Sequence, residues 1–505
     1  MNIRYSLGGG ALLAAMITGT AGFAEVTSQQ VWENWRGYLT SYGYEVTATE
    51  DMSGGTLTLS GVTMTMNMPE DSGMVSVTLG DMTFTEQGDG TVAVGLPAEM
   101  PVKMHIAPTD GEVADVTVNY GLTGFSMIVS GSEDEMTYAF TGSEMSMKLA
   151  ELVVDGDVVG NAKAEFSLKN VVGRFETASG DSRTMKEFIR SDGMSYDVGF
   201  VDPGGEGSFF MNGSTDSVNM AMSMTIPDGI DMEDMNAALK AGFSIDAAVG
   251  LGAGKTEFSL VDGSNTASGN SSSSGSSLKF QMNSDSMAYG IAATDYAISL
   301  IGSDIPLPIN LSAENAALRM AMPVAKSDTP QDFSMLVKMV GLAPDDMIWS
   351  MLDPTGALSH APATLIVDMA GKANWLFDIM DPEQAEMMAD ADMPGELHAL
   401  TLNNLTLSVA GAELTGAGAF TFNNDDLETF DGMPAPDGQV DLKLVGGNGL
   451  IDNLISMGMM SEDDAMGARM MMGLFGRPGE GEDTVESTIE VKSNGQIFAN
   501  GQRLQ

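Results

Sequence analysis

The run Thr56-Leu57-Thr58-Leu59-Ser60-Gly61-Val62-Thr63-Met64-Thr65-Met66-Asn67-Met68 alternates apolar and polar side chains, with one step out of phase at Gly61. Alternation with a period of two places every second side chain on one face of a β-strand. Gly61 shifts the phase from Leu57 and Leu59 to Val62, Met64 and Met66. The same signature continues outward. Val75, Val77 and Leu79, then Met82 and Phe84, Val92 and Val94, Val102, Met104 and Ile106, and Val116, Val118 and Tyr120 follow one another between Gly, Asp, Asn and Ser breaks. Strands repeating every 8–12 residues with Thr and Ser on the other face read as an antiparallel meander. The fold expected is mainly β (α+β): a long, twisted antiparallel sheet or trough of repeated strand-helix units with a few docking helices.

Working outward, Thr27 to Tyr42 has helical spacing, with Val31, Trp35, Tyr38 and Tyr42 on one stripe and Thr27 with Gln30 as a capping box. Such an aromatic stripe suits docking onto a sheet. Further helices are expected over Asp231–Ala241, Pro330–Val340, Pro344–Leu352, Pro382–Asp392, Leu450–Met460 and Glu462–Phe475, the last capped by Ser461. Thr329 and Pro330 supply the start signal for the second of these. The Ser/Gly/Asn-rich tract Asp262–Ser277 reads as a long surface hairpin.

A faint internal repeat relates Lys163–Leu168 to Lys255–Leu260, Met194–Tyr196 to Met287–Tyr289, and Met220–Met222 to Met320–Met322. It suggests duplication of a strands-then-helix unit. The organisation expected is an export signal (1–24), an N-terminal β-rich region with a leading helix (25–254), a second strand-helix unit (255–397) and a C-terminal β-rich block with two helices (398–505). Within the signal, Arg4 is the positive start, Leu7 to Ile17 the apolar stretch, and Gly22-Phe23-Ala24 the small-x-small cleavage site. A periplasmic location is therefore expected, with no transmembrane anchor in the mature chain.

Composition narrows the partners. Of 505 residues, 70 are Asp or Glu against 22 Lys or Arg, a formal net charge of −48. That field opposes nucleic acid and anionic membrane surfaces, and it suits cations or a basic envelope protein. The absence of cysteine removes disulfides, thiol chemistry and cysteine-ligated metal. Methionine is abundant, at 43 residues, and much of it sits in alternation, as in Met64, Met66 and Met68 or Met220, Met222 and Met224. These six are read as the lining of an apolar ligand site, because an unbranched thioether adapts to irregular greasy shapes. Ordinary strand core and thioether binding of Cu(I) are the competing readings.

The segment Trp349-Ser350-Met351-Leu352-Asp353-Pro354-Thr355-Gly356-Ala357-Leu358-Ser359-His360-Ala361-Pro362-Ala363-Thr364 resembles a recurring stretch of an uncharacterised bacterial exported-protein family, domain of unknown function number 2125. Leu400 through Gly416-Ala417-Gly418, then Gly438 to Leu442, Leu450 to Gly458 and Asn500-Gly501 resemble that family's C-terminal block. The resemblance implies a signal-bearing, β-rich envelope protein and carries no catalytic residues. Asp353-Pro354 itself reads as a helix stop followed by a turn.

No catalytic constellation, metal site or cofactor site stands out. Gly250 to Thr256 is one residue short of a phosphate-binding loop, with Val249 where glycine is required. Ser276 and Lys279 have Ser-x-x-Lys spacing without companion elements. His105, His360 and His398 are isolated, so no zinc-binding pair forms. Carboxylate pairs such as Asp345 and Asp346 or Asp463 and Asp464 fall in first helical turns, where the helix dipole favours them. The expectation is a non-enzymatic periplasmic protein binding or carrying an apolar molecule such as lipid on a Met/Leu/Val-rich concave sheet face. A ligand-free structural or protein-interaction module with an acidic surface is the alternative, and a hydrolase of unknown substrate the third.

Overall fold

A computed structural model describes residues 25–41, 43–68, 73–109, 111–202, 204–230, 234–391 and 393–504; the expected export signal lies outside them. The described residues are 62% strand and 12% helix. Helix α1 (Ser28–Ser41) leads. Strands β1 to β6 are Glu45–Ser53, Thr56–Asn67, Gly73–Thr78, Met82–Glu86, Val92–Gly95 and Glu99–Pro108. Strands β7 to β12 are Ala114–Thr123, Ser126–Gly131, Glu135–Val154, Asp157–Val158, Ala162–Ala178 and Ser182–Ser191. Strands β13 to β15 are Gly193–Val201, Gly207–Thr215 and Val218–Pro227, followed by α2 (Met235–Lys240). Strands β16 to β22 are Ser244–Leu251, Gly254–Asp262, Asn265–Ser273, Gly275–Met282, Ser286–Gly302, Ile305–Pro323 and Gln331–Pro344. Then come α3 (Asp346–Leu352), β23 (Ala363–Trp375), α4 (Pro382–Ala389), β24 (Gly395–Val409), β25 (Ala412–Asn423) and β26 (Ala435–Val445). Helices α5 (Gly447–Ser456) and α6 (Glu462–Phe475) precede β27 (Arg477–Pro478), β28 (Thr484–Val491), β29 (Ile497–Ala499) and β30 (Gln502–Arg503). All the strands join one antiparallel sheet, whose ladder continues through β17 across position 254/255 and through β24 across 397/398.

The sheet is a meander of creased strands. β11 pairs with β13 through Ala162–Lys169 and with β12 through Val172–Ala178, so β12 and β13 act as one partner broken at Asp192. In the same way β20 pairs with β19 through Met287–Thr294 and with β18 through Ala297–Gly302, on either side of Asp295. Asn170 and Asp295 sit at these breaks with φ of 49° and 46°, and Gly61 breaks β2 with φ of 62°. One left-handed residue interrupts the pleat, and the apolar alternation restarts out of phase. On β20 it passes from odd positions (Met287, Tyr289, Ile291) to even ones (Tyr296, Ile298, Leu300) at Asp295. The phase shift seen at Gly61 is thus the device by which both arms keep apolar side chains on one side. Met194, Leu251, Thr256 and Tyr296, drawn from both arms, accordingly line one shallow hollow. Ser274 pins the crease: its hydroxyl donates to Asp295 Oδ2 (2.7 Å) and its amide to the Thr294 carbonyl (3.0 Å).

Two compact cores anchor the sheet. In the first, α1 lays Val31 and Trp32, both essentially unexposed, on Leu57, Leu59, Phe84, Val92 and Val129. Each such side chain contributes about 1.5–3 kcal/mol by leaving water. The capping box forms as expected: Thr27 Oγ1 accepts from the Gln30 amide (3.3 Å), and Gln30 Oε1 accepts from the Thr27 amide (3.0 Å). Trp35 meets Phe84 edge-on at 5.2 Å, and Tyr38 meets Phe175 at 6.3 Å. Tyr42, the last residue of the expected stripe, lies outside the described residues. The second core packs α2 and Phe243 against Val324, with Met224 and Ile245 around them.

The structure corrects several sequence expectations. Pro330–Val340 is not a helix; it belongs to strand β22, held by β21 on one side and β23 on the other. The alternation of Phe333, Met335, Val337 and Met339 prevails over the cap signal, and Pro330 stands just before the strand, where its missing N–H costs nothing. The proposed repeat therefore runs into a helix (α2) only in its first copy. Asp262–Ser277 does form a hairpin with β17, turning at Gly263-Ser264, but its arm β18 is an inner strand paired on its other side with β20 rather than a surface excursion. Its small residues serve packing, since the Phe258 ring lies over Gly269, where a Cβ would come within 2.9 Å of it. The helix expected over Asp231–Ala241 is Met235–Lys240, capped by Asp234 Oδ1 accepting from the Ala237 amide (2.9 Å), with 231–233 outside the described residues. The helix expected to reach Asp392 ends at Ala389, and Asp392 itself is outside the described residues.

Candidate functional site

Directly paired residues of an antiparallel sheet lie on the same face with Cβ atoms about 4.5–5.5 Å apart. Following the pairings from Val92 gives Val129, Tyr138, Phe175, Glu187, Met222, Ala247, Phe280 and Tyr289. The row continues through Met320, Met335, Met369, Leu402, Gly418, Val440, Ile489 and Ala499. At about 4.8 Å per strand it runs for roughly 75 Å. A parallel row beside it includes Phe140, Ile189, Met220, Val249, Leu278, Ile291, Leu318, Val337, Val367 and Leu405. One face of the sheet is therefore apolar along its length, Glu187 apart.

That face is not filled. Leu278, Ile291, Leu318, Met320, Met339, Leu365 and Leu407 are each between 37% and 46% exposed. An isolated exposed Leu or Met is unremarkable, but a continuous apolar band of this extent marks a binding surface. At its N-terminal end α1 covers it. Just beyond the α1 core lies a cavity of about 390 Å³ lined by Trp35, Tyr38, Leu39, Met64, Leu79, Met127, Tyr138, Phe140 and Phe175, with Asn34 at its edge. This is within the usual range for small-ligand pockets, toward its lower end. The Tyr138 hydroxyl donates to Asn34 Oδ1 (2.9 Å), and burial pushes the phenol pKa up, so it stays neutral.

The six methionines read from sequence as an apolar lining take separate places. Met64 lines the cavity. Met66 pairs with Val75 beside it, and Met68 donates its amide to the Gly73 carbonyl (2.7 Å) just past the strand. Met220, Met222 and Met224 stand on β15, opposite Ile189, Glu187 and Met185 on one side and Val249, Ala247 and Ile245 on the other. Both sets belong to the apolar face, yet they lie several strands apart and do not meet in one pocket. Sequence reasoning missed Tyr138, Phe140 and Phe175, whose alternation was a usable signal, and it missed Glu187. Glu187 is the one carboxyl in the row from Val92 to Ala499; burial raises its pKa above the usual glutamate value.

Other polar clusters have structural work. Asp353 ends α3, and its buried carboxylate accepts from the amides of Ala357 (2.9 Å) and Leu358 (2.7 Å), from Thr355 Oγ1 (3.1 Å) and from His360 Nε2 (3.3 Å). Burial alone would raise its pKa, but these donors outweigh it and bring it down to about 2. His360 stacks on Trp349 at 4.2 Å. His105 pairs with Asp115 and His398 sits beside Glu396 and Asn374, so the three histidines occupy three unconnected places. Among the described residues no group of three or more His, Asp or Glu is placed to hold a metal ion, and no helix is long and apolar enough to cross a membrane.

A family described as an uncharacterized protein conserved in bacteria, DUF2125, matches residues 231–504, more than half of the chain. The chain belongs to the DUF2125 family. No curated protein and no solved structure matches it. The DUF2125 match takes in α2 and every element from β16 onward, including the most open part of the apolar face. The α1 cavity and Glu187 lie ahead of it.

Proposed function

We propose that this DUF2125 protein is a non-enzymatic envelope protein, sent to the periplasm by residues 1–24, that holds an apolar molecule such as a lipid on its open sheet face. One observation supports the reading above the others: a cross-strand apolar row about 75 Å long that the protein's own side chains leave partly uncovered. Water against such a surface is displaced favourably by any alkyl chain, at about 0.8 kcal/mol per methylene fully buried. Past Phe280 and Tyr289 at its centre the row is methionine and leucine from Met320 to Leu402, side chains that suit a flexible ligand of no fixed shape. A second reading, a ligand-free module that meets a basic envelope protein, draws on the net charge of −48.

Photo-crosslinking separates the two. A benzophenone amino acid placed at Ile291, on the apolar face, should capture an alkyne-tagged phosphatidylethanolamine from vesicles. The same group at Arg319, on the opposite face, should not. Equal capture at both positions, or none at either, removes the lipid reading and leaves the interaction module.

A further inference from the structure

Glu187 breaks the chemistry of the surface on which it stands. Its cross-strand partners are Phe175 and Met222, and its neighbours on the same face of β12 are Met185, which is buried, and Ile189. No side chain or backbone donor among the described residues reaches its carboxyl. Arg183, on the same strand about 13 Å away, points instead beneath α1, 3.9 Å from the position a Cβ at Gly37 would take. Glu187 is half-buried, so its carboxylate is partly desolvated, and a cationic ligand donor would add a charge-assisted hydrogen bond there. Its place is equally specific. Phe175, directly opposite, is also a wall of the 390 Å³ cavity under α1, so Glu187 stands one strand beyond that wall, next to the chamber rather than in its lining.

We propose that an alkyl chain fills the chamber between α1 and the sheet, and that a protonated amine at its head meets the carboxylate of Glu187. The ligand class is a cationic, amine-headed amphiphile. This rests on the proposed apolar-ligand function and narrows it. Charge complementarity selects the amine over a carboxylate or phosphate head, because a chain of formal charge −48 gathers cations and repels anions. An ammonium-carboxylate hydrogen bond in partly desolvated surroundings is worth about a tenfold to hundredfold change in affinity.

Isothermal titration calorimetry of the full chain with decylamine and with decan-1-ol, at pH 7 and ~0.15 M salt to screen the general field, tests the assignment. The wild type should bind the amine at least tenfold more tightly than the alcohol. Glu187→Gln should cancel that preference, chiefly by weakening the amine. Met222→Lys, which supplies an internal ammonium opposite Glu187, should cancel it as well and carries the test if Glu187→Gln fails to fold. Equal affinity for amine and alcohol in the wild type, or a preference that survives both variants, overturns the inference while the apolar-ligand function stands. Binding of neither probe overturns both.

Discussion

Replacing Leu318 with aspartate puts a carboxylate in the middle of the open face, directly opposite Ile291 on β20 and Val337 on β22. An alkyl chain lying along the row crosses one strand every ~4.8 Å, a length of about four methylenes. Each is worth about 0.8 kcal/mol when fully buried. Against a wall whose side chains are about 40% exposed, roughly half of that is realised, so the interruption costs about 1.5 kcal/mol, or roughly tenfold in occupancy. The assay is the adduct yield from a benzophenone at Ile291 with tagged phosphatidylethanolamine held below saturation. Arg319→Asp, one residue along and on the opposite face, is the matched control. The fold itself should lose no more than about 1 kcal/mol, because Leu318 is already 42% exposed. An unchanged yield in Leu318→Asp, or an equal drop in Arg319→Asp, refutes the claim that a ligand lies along this face.

Three further perturbations probe the scaffold. Trp32→Ala empties the centre of the α1 core and should cost about 3–5 kcal/mol, read as a lowered thermal midpoint with loss of helix signal; a shift under a degree contradicts the packing described. Gly61→Ala meets no atom within 4 Å, so its cost is backbone strain at φ of 62° alone, about 1–2 kcal/mol by denaturant titration. A neutral result would mean the crease does not need a left-handed residue. Asp353 is held near pKa 2, below its ordinary 3.8, so its stabilisation is present above about pH 4 and is lost as pH falls toward 2. Asp353→Asn should lower the melting temperature at pH 6 and converge on wild type near pH 2; a constant gap across that range contradicts the amide clamp.

Much of the architecture is legible in local sequence because an antiparallel meander writes its alternation into consecutive residues. The run from Thr56 to Met68 announces both the strand and the break at Gly61. Helix α6 is bounded where Ser461 and Phe475 suggest, since its cap is built from neighbours: Ser461 Oγ accepts from the Asp464 amide at 3.1 Å. Thr329-Pro330 misleads for the opposite reason. Its start signal is local, whereas β21 and β23, which settle the segment as strand, lie outside any short window. The Ser/Gly/Asn tract shows its hairpin turn but not the inner place of β18, because the value of Gly269 depends on the Phe258 ring across the ladder. The apolar face was visible as methionine alternation, but its continuity was not. Tyr138, Phe175, Glu187 and Met222 are consecutive members of one row only after four separate strands have paired. Glu187 in particular looks like any surface acid until Phe175 and Met222 close on either side.

Native mass spectrometry of the protein gently purified from bacterial cells asks directly whether the apolar face carries a molecule. A mass above that of the polypeptide is expected, with the excess released by mild collisional activation as lipid-sized species. A single mass equal to the bare polypeptide, from gently prepared material, would contradict it.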